Sequence, residues 1–203
     1  MRSTSRAIVM TALAAMTALA LAGCSATGKR DDPPRLPRIM VEGTRHEYTS
    51  LAELADVASA VVVAVPTGVQ FTKPLPAGYG PPDAAPTPYV QIRVTRVLSG
   101  TIRPGLIDLV SPGIDENTGE QALARGGPYL IYITPAMYRS NDPAGGYVAV
   151  GGPAGVYGAT GRGDQFARVD RESTALPPTV QLGRTDLPKA HKTEKQLLQE
   201  GPK

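Results

Sequence analysis

Tryptophan is missing from this chain of 203 residues, cysteine occurs once and histidine twice, and aromatic residues make up only 5% of it. Each shortage excludes something. A single cysteine forbids an intrachain disulfide, so burial and hydrogen bonds have to hold the fold by themselves. Cys24, His46 and His191 together fall one ligand short of a four-coordinate zinc site built from Cys and His. The two histidines lie outside the apolar middle of the chain, where a hydrolytic base would have to be held in fixed geometry, and they read as solvated side chains. Long apolar runs are lacking too. The best of them, from Ala7 to Leu21, carries Thr11 and Thr17 and falls short of the roughly 20 residues that span hydrocarbon.

What is present begins with basic Arg2 and Arg6, the uncharged run and then the small residues Ala22-Gly23, in the order of a secretory signal. The tetrapeptide Leu21-Ala22-Gly23-Cys24 that closes the run resembles the lipobox of bacterial lipoproteins. That resemblance implies a signal peptide over residues 1–23, cleaved after Gly23. It also implies a Cys24 thiol that attacks as the thiolate and receives a diacylglyceryl group, with acyl chains of the palmitate type. Lipidation accounts for an odd thiol in an oxidising compartment. The expected partner of Cys24 is membrane lipid, and the expected place is the extracytoplasmic face of the cell membrane. Cleavage takes Arg2 and Arg6 from 21 basic residues and nothing from 18 acidic ones, so the mature chain is close to neutral. No basic stripe stands out in its centre, and no nucleic-acid partner is expected.

Residues 24–47 are polar and hold Pro33, Pro34 and Pro37, which reads as a flexible tether. Ser50-Leu51-Ala52-Glu53 fits a capping box, and the apolar spacing that follows predicts a short helix from Leu51 to about Ala58. The β-branched run Ala60–Val65 predicts a buried central strand. Residues 72–88 are crowded with proline and glycine and predict a long surface loop. Val90, Ile92 and Val94 alternate with polar neighbours, and the alternation slips at Arg96-Val97-Leu98, which predicts a bulged strand. Further strands are expected at Leu106–Val110, Pro128–Thr134, Gly146–Val150 and Gln165–Val169, bracketed by turn residues. From Pro177 the alternation is lost, so 177–203 reads as a polar, flexible tail in which Lys192–Gln199 could form a frayed helix with little apolar surface to bury.

The succession Tyr48-Thr49-Ser50-Leu51-Ala52-Glu53-Leu54, the valine strand, Val94-Thr95-Arg96-Val97-Leu98-Ser99-Gly100 and Gly127-Pro128-Tyr129-Leu130-Ile131-Tyr132 resembles actinobacterial secreted lipoproteins. More distantly it resembles the netrin-like and tissue-inhibitor-like barrels of the OB class. The resemblance implies a mainly β domain over 48–176: a small OB-like antiparallel barrel with one short helix. Val61, Val63, Val65, Ile92, Val94, Leu109, Leu130 and Ile133 are its candidate core. The inhibitor relatives use disulfides and a free amino-terminal cysteine on a protease metal. An acylated Cys24 outside the barrel does not fit that mechanism.

Sites for chemistry are few. Asp115-Glu116-Asn117-Thr118-Gly119-Glu120 echoes a calcium loop but departs from the EF-hand pattern at its fifth, sixth and twelfth positions, and reads as a polar turn. The glycine-rich stretch 151–163 lacks the Lys-Ser/Thr of a phosphate cradle and reads as hairpin turns. Its Arg162-Gly163-Asp164 matches an adhesion tripeptide that chance easily supplies. Tyr129, Tyr132, Tyr138, Tyr147 and Tyr157 could pack the barrel or offer a stacking face. No catalytic constellation, metal site or cofactor is expected. The reading is a lipid-anchored, non-enzymatic binding domain with an extracytoplasmic protein or polysaccharide partner. Two alternatives stay open: a hydrolase working through carboxylates such as Asp108, Asp115 or Glu116, and an envelope spacer.

Overall fold

A computed structural model describes residues 47–81, 83–113, 121–123 and 126–201. The expected signal peptide 1–23, Cys24, His46 and the acidic segment 115–120 lie outside the described residues. The chain enters at Glu47 and forms helix α1 (Leu51–Val57), capped where Ser50 Oγ accepts from the Glu53 amide at 3.2 Å. Glu53 reaches back as a capping box requires. Its carboxylate, however, takes the amide and hydroxyl of Thr49, at 2.7 and 2.8 Å. The helix stops because Ala58 turns extended, and Ser59 then donates its amide to Ile133 O at 2.8 Å.

The strands follow as β1 (Ala60–Lys73), β2 (Thr87–Gly100), β3 (Gly105–Val110), β4 (Tyr129–Arg139), β5 (Asp142–Ala149), β6 (Val156–Ala159), β7 (Gln165–Arg168) and β8 (Thr179–Gln181), and helix α2 (Glu194–Glu200) is the last of the described elements. One sheet runs β1-β2-β3-β5-β4-β6-β7-β8, and a further β1–β4 pairing closes its first five strands into a ring. The protein is mainly β. The bulged strand expected near Arg96 is present. Leu98 and Thr95 are skipped in the β1–β2 register, and the Thr95 hydroxyl donates to Val63 O at 3.0 Å.

Alternation along β1 and β4 sorts their side chains onto two faces. Ala60, Val62, Ala64, Tyr129, Ile131 and Ile133 point into the ring, where Val90, Ile92, Val94 and Leu109 meet them. Val61, Val63, Leu130 and Tyr132 point outward. There α1, a 3-10 turn at Gly152–Gly155, and β6 to β8 cover them. The run Ala60–Ala64 is therefore buried at every residue, which is why it reads as continuous valine and alanine and not as alternation. Val65, expected in the core, is only half-buried.

Three expectations need correction. The ring is not wholly antiparallel, because β3 and β5 pair in parallel through Leu109 and Tyr147. The frayed helix allowed at Lys192–Gln199 is instead a capped helix, α2, so the described residues hold two α-helices and not one. And the chain from Pro177 carries β8 and α2, with Val180 and Leu197 buried. Its apolar residues Val180, Leu182, Leu187 and Leu197 stand too far apart to show a period, and each finds its place only against distant segments.

Candidate functional site

The outer face of β1, β2 and β3 carries the most chemistry among the described residues. Since Val90, Ile92 and Val94 point inward, Tyr89, Gln91 and Arg93 point outward. The register sets Phe71 beside Tyr89, Gln91 beside Asp108, and Arg93 beside Leu106. Phe71 stacks on Tyr89 with centroids 5.6 Å apart and planes 12° apart. The Lys73 ammonium lies 4.2 Å from the Tyr89 centroid and 3.5 Å from Asp108 Oδ2. A cation held between a ring and a carboxylate contributes on the order of 1 kcal/mol when half-exposed. Burial first, then Tyr138 and Asp108 nearby, holds the Tyr89 phenol above its usual pKa.

Two loops bank this face. The β1–β2 loop brings Tyr79 against Tyr138 of β4, with centroids 4.7 Å apart. The Tyr79 hydroxyl donates to the Asp142 carboxylate, and that bond is the main cause of its raised pKa. The Arg139 guanidinium sits 4.4 Å from the Tyr79 ring centroid, and its Nε is 3.7 Å from Asp142 Oδ2. Arg139 and Asp142 face each other across the two-residue turn Ser140-Asn141, in which Asn141 adopts a left-handed φ of 59°, a conformation Asn tolerates better than most residues. Behind the face, Gly146 has φ 80°, and a Cβ there would meet Asp108 O at 2.5 Å, so only glycine lets β5 come this close to β3.

A second hollow, of about 320 Å³, opens where Thr67-Gly68-Val69 bulges out opposite Gln91. It is lined by Pro66, Val69, Gln70, Val90, Gln91 and Leu123 among others, and among the described residues no ionisable side chain lines it. Its described lining offers shape and amide hydrogen bonds.

No protein family, curated protein or solved structure matches this chain. Its function has to be read from its own side chains.

Of the residues singled out in the sequence, Leu21, Ala22, Gly23, Cys24, Asp115 and Glu116 lie outside the described residues. Asp108 is bound to Lys73. His191 is exposed on the extended segment before α2. Among the described residues, no three His, Cys, Asp or Glu side chains gather as a metal group would. The tyrosines divide: Tyr129, Tyr132 and Tyr157 are buried, Tyr138 stands at the outer face, and Tyr147 donates its hydroxyl to Glu194 at 2.6 Å. Asp164 of the adhesion tripeptide lies 3.4 Å from Arg96. Sequence reasoning missed Phe71, Lys73, Tyr79, Arg139 and Asp142. Phe71 and Lys73 do alternate as strand residues, but the prolines that follow drew the loop boundary one residue past Phe71. Tyr79 gives no local signal of a partner 63 residues away.

Proposed function

We propose that the mature chain is a lipoprotein, anchored through acylated Cys24 on the extracytoplasmic face of the membrane, whose OB-like barrel is a non-enzymatic binding domain for an extracytoplasmic polysaccharide. The observation that carries this reading is the convergence of Phe71, Tyr79 and Tyr138, all half-exposed, with Lys73, Asp108, Arg139 and Asp142 on one face. A five-strand ring closed by a non-sequential strand order supports the OB-like assignment. Barrels of that class take oligosaccharides and oligonucleotides on the face of strands 2 and 3 and on the loops after strands 1 and 4. Lys73, Arg93 and Arg139 against Asp108 and Asp142 leave this face an excess of only one positive charge, less than the several that phosphate backbones require, while amphipathic rings and fixed hydrogen-bonding groups suit sugar rings. Asp108 and Asp142 are each committed to a cation or a phenol. That engagement favours recognition over a paired-carboxylate hydrolase.

The test is affinity electrophoresis of the detergent-solubilised protein in gels containing soluble cell-wall polysaccharide from the producing organism, with dextran as control. Retardation of the wild type, lost at least about tenfold in affinity in Tyr79→Ala/Tyr138→Ala, is the expected result, since stacking is worth about 1–3 kcal/mol per ring. Equal mobility in both gels, with a photo-crosslinker at position 138 capturing a protein, would replace the polysaccharide by a protein partner. The anchor is tested separately by intact mass of membrane-derived protein: a diacylglyceryl mass on Cys24 is expected, and an unmodified thiol overturns it.

A further inference from the structure

Residues 182–201 tie themselves to one bank of the outer face. After β8, Leu182, Leu187 and Ala190 pack on the outer core, and Ala190 exchanges hydrogen bonds with Ser99 at the end of β2, its amide donating to Ser99 Oγ at 2.7 Å. The chain then caps α2 with a full capping box, Thr193 with Gln196. Seven residues are too few for a helix to persist unaided in water. This one is held by what it touches. Leu197 is buried, and the Tyr147 hydroxyl of β5 donates to Glu194 Oε1 at 2.6 Å. At its C-terminal end, where a helix leaves carbonyls unpaired, Leu198 O accepts from the Asn141 amide at 2.6 Å and Gln199 O accepts from Ser140 Oγ at 2.5 Å. Both donors belong to the β4–β5 turn. The same hairpin carries Tyr138, Arg139 and Asp142.

We infer that α2 is a strap that positions the β4–β5 hairpin, with Glu194 and Leu197 as positioning residues for the binding face; the inference rests on that face being the site. The physical reason is that the hairpin projects beyond the ring. Only Tyr129–Ile133 of β4 pairs with β1, and past Pro135 the β4–β5 register is broken twice. A ladder with such irregularities leaves its turn free to splay, and α2 takes the hydrogen-bonding groups of that turn. Docking α2 thus sets how far Tyr138 and Arg139 stand from Tyr79 on the opposite bank.

Hydrogen exchange on the full chain in detergent, read by mass spectrometry, tests this. Leu197→Asp should speed exchange in peptides spanning 137–148 about tenfold while peptides spanning 60–65 and 129–134 stay within about twofold. Glu194→Ala should speed the hairpin about threefold, and Glu194→Gln, whose amide oxygen can still accept from Tyr147, should match the wild type. An unchanged hairpin in both Leu197→Asp and Glu194→Ala overturns the proposal. So does equal acceleration of hairpin and ring, which would make α2 a general stabiliser. If Leu197→Asp does not fold, the two Glu194 variants decide. Failure of polysaccharide binding would show as unretarded wild-type protein and would leave these exchange rates as they are.

Discussion

Strands β1 and β4 separate two cores that are assembled differently. Inside the ring the contacts are aliphatic, apart from Tyr129 and half-buried Tyr147, and nearly all come from strands whose register is set by their own ladders. Outside it, α1, β6, β7, β8 and the segment around Leu176 each contribute only a few side chains. The outer core also buries two phenols, Tyr132 and Tyr157, whose hydroxyls meet no hydrogen-bond partner among the described residues. An unsatisfied buried hydroxyl costs on the order of 1–3 kcal/mol. The difference teaches that closure of the ring makes its interior nearly self-sufficient. The outer core is filled by large side chains from scattered segments and tolerates imperfect polar pairing in return for volume.

The harshest way to break that contrast is to delete volume on each side. Ile131→Ala inside the ring should cost about 3–5 kcal/mol, because hydrogen-bonded strands on every side cannot collapse into the space. Leu54→Ala on the outer side should cost less, about 2–3 kcal/mol, because a seven-residue helix can shift to fill part of it. Denaturant midpoints at constant m measure both. A larger loss at Leu54 than at Ile131 would reverse the ranking of the two cores.

Alkaline pH sharpens the comparison through the phenols. Burial pushes the Tyr157 hydroxyl up to about 12 and raises Tyr132 further in the same direction, with Tyr157 beside it adding to the effect. A phenol is neutral when protonated, so above pH 10 the unfolded chain gives up a proton that the folded state still holds. The stability carried by this difference is fully present below pH 10, and it declines as the pH rises to about 12. Tyr157→Phe should flatten the decline, and at pH 7 it should leave stability unchanged or raise it by up to about 1 kcal/mol. A variant that falls as steeply as the wild type between pH 10 and 12 would place the titration elsewhere. The smallest effect should come from Arg96→Ala, which removes a pair 3.4 Å long between β2 of the ring and the turn after β6. Both partners are more than half exposed. The loss should therefore be under about 1 kcal/mol and vanish in high salt, measured as the difference in midpoint between low and high salt.

Much of the ring was open to sequence reasoning, because period-two alternation at Val90, Ile92 and Val94 and the valine run at Ala60–Val65 record burial directly. Helix α1 was marked by its Ser50 cap. β6 was hidden, since Val156-Tyr157-Gly158-Ala159 sits among glycines that signal turns. β8 was too short to show a period. The candidate site was the least visible part. Tyr138 was noticed as one of five tyrosines, but nothing local distinguishes it from Tyr132, six residues earlier on the same strand and completely buried.

By itself the sequence determined which segments become the five ring strands, where β2 bulges, where α1 begins, and which residue is the candidate acylation site, because all of these depend on side-chain periodicity, capping chemistry or a short motif read over a few residues. Tertiary structure alone decided which face of each strand became ring interior and which became outer core, that β3 and β5 close the ring in parallel, and that the residues after Pro177 return to cover the domain. It also decided that Phe71, Lys73, Tyr79, Tyr138, Arg139 and Asp142 share one face. Those choices depend on contacts between residues dozens of positions apart, and such contacts leave no trace in the local pattern of either partner.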